Sequence, residues 1–230
     1  YTSIESKKIA NDIEDIDKLS LIFQEKYNGK IQSLNKKEFY EVIIFFENLS
    51  EKIEKIRSYV DLLTSENLLD KQNSIKGFFL KEQLQKYESR IIFFILEITG
   101  MPFENLKLLV SDKNVSKYYE WLEKIRTFHP YQLEENLEKL FLEKKISGRD
   151  SWVRLFDETL ASMEINIRDK VYTLDNALDL LSGSSDEYVR REAAESISDE
   201  FEKKINLFTY VTNTLIKDKE IEDRWRNLPS

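Results

Sequence analysis

One imidazole is available to this protein. His129, in the dipeptide His129-Pro130, is the single histidine among 230 residues, and there is no cysteine. A His-Glu-x-x-His zinc site needs two imidazoles on one helix face, and thiolate sites need sulfur, so these residues can assemble neither. A Ser-His-Asp site would have to use His129, and no nucleophile-elbow pattern marks a serine. A lone histidine at a helix end before proline reads as a capping or surface residue. Paired carboxylates stand at Glu134-Glu135, Asp186-Glu187 and Glu222-Asp223; in a chain with 43 Asp+Glu they read as solvated helix faces. No Asp/Asn run resembles a calcium loop, and five glycines supply no phosphate-binding loop. Tyr118, Tyr119 and Trp121 offer a candidate stacking surface for a ligand, but helices need large apolar anchors, so core packing is the simpler reading. Arg154 with Asp157, and Arg190 with Glu187, are spaced as ordinary helix pairs worth about 0.2–0.5 kcal/mol. The expectation is a chain with no catalytic, cofactor-binding or metal-ligating residue of its own.

The bulk composition narrows the partners. Thirty-five Lys+Arg against 43 Asp+Glu give a net charge of −8. A pI near 5.0 opposes nucleic-acid binding, which usually shows a basic stripe. The basic pairs Lys36-Lys37, Lys144-Lys145, Arg190-Arg191 and Lys203-Lys204 each have acidic neighbours within about a turn, as solvated faces do. The most apolar stretch, Ile91 to Phe103, is interrupted by Glu97 and falls short of the about 20 residues a membrane span needs. The first residues lack a signal-peptide pattern, and the absence of cysteine fits a cytoplasmic origin. Hydrophobic content of 41%, with 14 Phe and 11 Tyr, is enough for a real core. The start at Tyr1 and the stop at Leu228-Pro229-Ser230, after a strong helical pattern, read as cut ends.

The elements that would carry these residues are mostly helices. Spacing of three and four predicts a first helix from Ile4 to Tyr27, closed by Asn28-Gly29. A second starts near Asn35, with Glu38 completing a capping box, and buries a stripe from Phe39 to Leu63. A third runs from Asp70 to Ile98, with Tyr87, Ile91, Phe94, Ile95 and Ile98 inward, and ends at Gly100. Pro102 opens a short fourth, Phe103 to Val110. A fifth covers Val115 to Phe128 and is closed by His129-Pro130. The sixth, Leu133 to Lys145, uses Leu137, Leu140 and Phe141. The seventh, Asp150 to Ser162, uses Trp152, Val153, Phe156 and Leu160. The period then changes to two: Met163, Ile165 and Ile167 alternate with polar residues, which predicts a short β-hairpin within 163–173 turning at Arg168-Asp169-Lys170. Thr173 caps an eighth helix ending at Ser182-Gly183. Ser184 with Glu187 reads as the capping box of a long ninth helix reaching at least Asp223. Its stripe is Val189, Ala193, Ile197, Phe201, Ile205, Phe208, Thr212, Leu215 and Ile216. The expected class is mainly α, a multi-helix lobe of long amphipathic helices with one short hairpin. A long-helix region over 1–112 and a helical region with the hairpin over 113–230 would form one continuous lobe.

Two stretches are familiar as ordered sentences. One is Ile95-Leu96-Glu97-Ile98, then Lys117-Tyr118-Tyr119-Glu120-Trp121-Leu122-Glu123-Lys124-Ile125-Arg126, Leu133-Glu134-Glu135, and Ser151-Trp152-Val153-Arg154-Leu155-Phe156-Asp157-Glu158. The other is Leu174-Asp175-Asn176-Ala177-Leu178-Asp179-Leu180-Leu181-Ser182, then Val189-Arg190-Arg191-Glu192-Ala193-Ala194, then Asn213-Thr214-Leu215-Ile216-Lys217-Asp218-Lys219. In order and spacing, from about Phe93 to Arg226, they resemble the N-terminal part of oligoendopeptidase F, an M3-family zinc metallopeptidase related to thimet oligopeptidase. That family often has a histidine just after the proline of the Arg126-to-Leu133 segment; here Tyr131 stands there, so His129 inherits no role. The resemblance implies a longer cytoplasmic parent that hydrolyses short oligopeptides with zinc held by a His-Glu-x-x-His helix, which these residues lack. It implies that this chain is a non-catalytic N-terminal lobe, one wall of a substrate cleft, whose partner is the missing C-terminal catalytic lobe. Exposure of the surface that meets that lobe would favour self-association. The alternative is a stand-alone helical scaffold or adaptor that binds a partner protein along an apolar groove. No nucleic acid and no membrane partner is expected.

Overall fold

Ser6 sets where the first helix begins. In the computed structural model, which describes Tyr1–Pro229, Ser6 is extended and its hydroxyl accepts from the Ile9 N–H at 3.4 Å. Helix α1 therefore runs Lys7–Tyr27, starting three residues after Ile4, because a capping side chain rather than an apolar residue satisfies the first free N–H groups. It stops at Asn28, and Gly29 takes φ +74°, a conformation that glycine adopts without steric cost. The Asn35/Glu38 capping box is present in full: the Lys37 and Glu38 N–H groups donate to Asn35 Oδ1 at 3.0 Å, and Asn35 N–H donates to Glu38 Oε2 at 3.0 Å. It opens α2, Lys36–Glu66.

The remaining elements follow in order: α3 Lys71–Thr99, α4 Phe103–Val110, α5 Lys113–Ser116, α6 Tyr119–Arg126, α7 Glu135–Ser147, α8 Arg149–Ala161, β1 Ile165–Ile167, β2 Lys170–Tyr172, α9 Leu174–Gly183 and α10 Glu187–Trp225. The chain is mainly α with one two-stranded antiparallel hairpin. It divides into two compact units. One holds residues 1–66, 72–144 and the segment from Arg224; the other holds 67–71 and 145–223.

The core of the first unit is aromatic. Phe23 of α1 is fully buried, and its ring lies 5.2–6.2 Å from those of Tyr27, Phe45, Phe46, Phe93 and Phe94. Ile16, Leu49, Ile53, Ile56, Leu84 and Ile98 extend it. Arg90 of α3 ties back to α1 by an ion pair with Asp17 and a 3.2 Å hydrogen bond to the buried Ser20 hydroxyl. Helices α2 and α3 approach closely at Gly77, where an added Cβ would lie 2.9 Å from Val60 Cγ1 and 3.2 Å from Thr64 Cγ2.

The expected fifth helix is two. The Asp112 carboxylate accepts from Asn114 N–H at 2.8 Å and starts α5 early; Tyr118 N–H then bonds three residues back to the Val115 carbonyl at 2.9 Å. That tighter bond ends the turn, and α6 restarts from the Tyr118 carbonyl. The helix is over at Arg126, and His129–Tyr131 form a separate 3₁₀ turn that takes Pro130 at its start.

In the second unit the hairpin pairs Ile165 with Tyr172 and Ile167 with Lys170, so the turn is the two residues Arg168-Asp169. Arg168 has φ +54°, as two-residue hairpin turns demand. Met163, Ile165 and Ile167 are buried together with Ala177, Ala193, Ile197 and Phe208. Thr173 caps α9 through the Asn176 N–H at 3.3 Å. The cap of α10 is Asp186, not Ser184: Asp186 Oδ1 accepts from Tyr188 N–H at 2.9 Å, and Ser184 instead accepts from Asp186 N–H at 3.2 Å. A carboxylate at that position also answers the positive helix end.

Gly77 supplies a direct check on this packing. Replacing it with alanine gains about 1 kcal/mol of helix propensity, but the methyl group meets a β-branched neighbour, and overpacking costs about 1–3 kcal/mol. Gly77→Ala is expected to lower the melting temperature by circular dichroism. Gly183→Ala, whose methyl meets nothing within 4 Å, leaves it unchanged or slightly higher. A Gly77→Ala protein more stable than the parent chain would rule out the close crossing.

Candidate functional site

The residues singled out by type and spacing do not converge. His129 is exposed on its 3₁₀ turn. Glu135 pairs with Lys139 at 2.5 Å, Asp186 with Arg168 at 3.2 Å, and Asp223 with Lys219. Trp121 and Tyr118 pack on the aromatic core: Trp121 lies 6.4 Å from Phe46 and 6.5 Å from Phe94. The Tyr118 hydroxyl donates to Glu47 at 2.8 Å, and that of Tyr119 donates to Glu123. The arginine pairs are shifted by one residue. Arg154 bonds Glu158 at 2.6 Å, Glu187 bonds Arg191 at 3.2 Å, and Arg190 donates to the Ser184 carbonyl at 2.7 Å. Spacing of four brings these side chains level on the helix better than spacing of three. Among the described residues no group of three or more His, Cys, Asp or Glu is placed to hold a metal ion, so the residues present do not fit a zinc site.

What the fold does bring together is a set of buried or half-buried polar ties in the first unit, all close to the end of α3 and the start of α7. Glu97, the charge that interrupts the apolar run, has its carboxylate on the turn after α1: Gly29 N–H donates to Oε1 at 2.7 Å and Ile31 N–H to Oε2 at 3.0 Å. Burial pushes the Glu97 carboxyl above the usual glutamate range, the two N–H bonds oppose the shift, and the Glu135 charge adds to it. Arg126 of α6 donates to the Ile98 carbonyl at 3.2 Å and to that of Met101. Gln132 donates to the Leu96 carbonyl at 3.2 Å. The C-terminal turn of α3 is thus held by three side chains, two of which add donors to the Leu96 and Ile98 carbonyls beside the Gly100 and Met101 N–H groups that already bond there.

The strongest tie lies in α7. Glu138 is 8% exposed, while Leu140 is 53% exposed. The face expected inward, Leu137, Leu140 and Phe141, is therefore rotated toward Glu138. Arg226 makes this possible: Nη1 and Nη2 reach Glu138 Oε1 and Oε2 at 2.7 and 2.9 Å, a bidentate pair. Leu133 N–H donates to the same carboxylate at 2.9 Å, and the guanidinium sits 5.7 Å from the Phe141 ring centroid. Glu138 and Arg226 are 88 residues apart. No sequence spacing connects them. These ties position backbone.

Comparison with known proteins agrees with the resemblance read from the residues. Residues 97–165 match the N-terminal sequence family of M3 peptidases described as Oligopeptidase F. The crystal structure of oligoendopeptidase-F from Enterococcus faecium superposes with a TM-score of 0.83 at 18% identity, over 97% of this chain and 45% of that one. The fold is therefore that of this part of oligoendopeptidase-F, and the chain spans less than half the length of that relative. No curated protein sequence matches. No helix among the described residues is long and apolar enough to cross a membrane.

Two measurements check the polar ties. Arg226→Met leaves a buried carboxylate unpaired and is expected to lower stability in urea by about 2–4 kcal/mol, less than for a fully buried pair because Arg226 keeps 19% exposure. Adding Glu138→Leu should recover part of that loss, and a single variant as stable as the parent chain would exclude the clamp. For Glu97 the folded carboxyl binds its proton more tightly than in an unfolded chain. Its contribution favours folding below the unfolded value near 4.5 and fades as pH rises through the folded one. Carboxyl-carbon NMR should show Glu97 titrating above a glutamate in a disordered peptide; a midpoint at or below that reference would contradict the burial.

Proposed function

We propose that this chain is the N-terminal, non-catalytic lobe of a longer zinc-dependent oligoendopeptidase that hydrolyses short peptides. The observation that carries the reading is the pairing of two coverages: nearly all of this chain, but under half of the relative, shares one fold. The family match within 97–165 supports the same assignment. In this reading the lobe forms one wall of the substrate cleft. Zinc and its ligands belong to the part of the longer protein that has no counterpart in these 230 residues, and that part is the lobe's partner. The zinc would supply Lewis-acid activation of water at the scissile bond; the residues described here would shape access to it. A cleft walled by long helices, with rigid ends held by Glu97 and Glu138, would admit extended peptides and exclude folded proteins. The longer protein is placed in the cytoplasm, consistent with a chain that carries no cysteine.

The reading frame beyond Ser230 should encode a His-Glu-x-x-His sequence on a helix. The 230-residue chain, incubated with zinc and a quenched oligopeptide, should give no turnover, whereas the longer protein should cleave the peptide in a zinc-dependent way. Metal-dependent turnover by the short chain would overturn the assignment of this lobe as non-catalytic. A stop codon directly after Ser230 would remove the parent enzyme.

A further inference from the structure

Helix α10, about 58 Å long at 1.5 Å per residue, carries more apolar surface than its own unit covers. Its buried side is Ala193, Ile197, Phe208 and Val211. The expected stripe also included Ile205 and Ile216, yet these are 54% and 62% exposed. On the other flank Leu207, Tyr210 and Ile221 recur at intervals of three and eleven, which returns to one side of a helix at about 100° per residue; they are 36%, 61% and 37% exposed. Tyr210 is also fixed from one side, edge-on against Trp152 of α8 with ring centroids 5.6 Å apart.

Part of the charge on this stretch of the helix is paired along the helix itself. Lys203 and Lys204 pair with Glu200 at 2.9 and 3.1 Å, Lys217 pairs with Glu220, and Lys219 pairs with Asp223. From Ile205 to Ile216 the helix carries no charged residue, so this stretch shows large apolar side chains between charged ends. Such a face suits another apolar helix rather than a charged ligand, because burying it gives free energy without stranding a charge.

We propose that the Leu207/Tyr210/Ile221 flank of α10 is the docking seam for an apolar helix of the polypeptide that completes the longer protein. This rests on the reading given under Proposed function. The relative with the same fold has more than half its chain outside the matched part, and that polypeptide must cover some surface of this lobe. The C-terminal half of α10 joins exposed apolar side chains at helical spacing with a run, Ile205 to Ile216, that carries no charge.

The absence of cysteine makes the test clean. Leu207→Cys, Tyr210→Cys and Ile216→Cys each introduce one thiol in this region, and Leu62→Cys, at a position 73% exposed on α2, serves as the reference. Iodoacetamide labelling is followed by peptide mass spectrometry in the 230-residue chain and in the longer protein read through from the same frame. Labelling at Leu207→Cys and Tyr210→Cys should slow at least about tenfold in the longer protein, with Ile216→Cys less affected and Leu62→Cys unchanged. Equal rates in the two proteins, or equal protection at Leu62→Cys, would overturn the seam. Protection that appears in the short chain as its concentration rises would also overturn it, since a second copy would then be the occupant. A frame that stops at Ser230 would instead defeat the functional reading, so the two failures are distinct.

Discussion

The first unit depends on burying Phe23 among five other rings. That ring sits on α1, and its neighbours come from α1, α2 and α3. Aromatic side chains remove large apolar areas from water and pack with preferred edge and tilt geometries, so such a cluster restricts how three long helices can lie. Trp121 of α6 joins it through Phe46 and Phe94, which places the short helices after α3. The all-round apolar turn Val42-Ile43-Ile44-Phe45-Phe46 follows from this arrangement, since α2 meets neighbours on more than one side there.

An apolar core of this kind has no directional preference along the helix axes, and the buried polar ties supply it. Glu97 faces Gly29 and Ile31, whose N–H groups satisfy its half-buried carboxylate. Glu138 faces Arg226 in the same way. Gln85 and Ser89 of α3 add bonds to the Leu142 carbonyl at 2.5 Å and to Glu143 at 2.8 Å, tying the end of α7 to α3. Each tie costs desolvation if its partner is missing, so a slipped register would be penalised more heavily than an apolar mismatch. The second unit solves a smaller problem with a smaller core, in which the Arg168 turn is held from outside by Glu192 and Asp186.

Several of the charged groups in the first unit, Glu97, Arg126, Glu138 and Arg226 among them, are bonded to one another or to backbone, where they fix chain direction. The fold they hold is one shared with less than half of oligoendopeptidase-F.

Local structure was legible because it is written in short intervals. Residues three and four apart predicted the long helices, Asn35 with Glu38 predicted a cap that is present in full, and alternation at Met163, Ile165 and Ile167 predicted the hairpin. Ordered similarity over many residues pointed to oligoendopeptidase F even though no single motif did. The errors fell where two local answers were nearly equal in energy. Ser184 and Asp186 both can cap a helix, and Leu140 and Glu138 both can face inward on α7. Only the tertiary structure decided these, together with Glu97 on Gly29 and Ile31 and the exposed flanks of α10. Their partners lie tens of residues away, and the burial of a polar group is settled by whether a distant partner arrives, a fact that no local periodicity encodes.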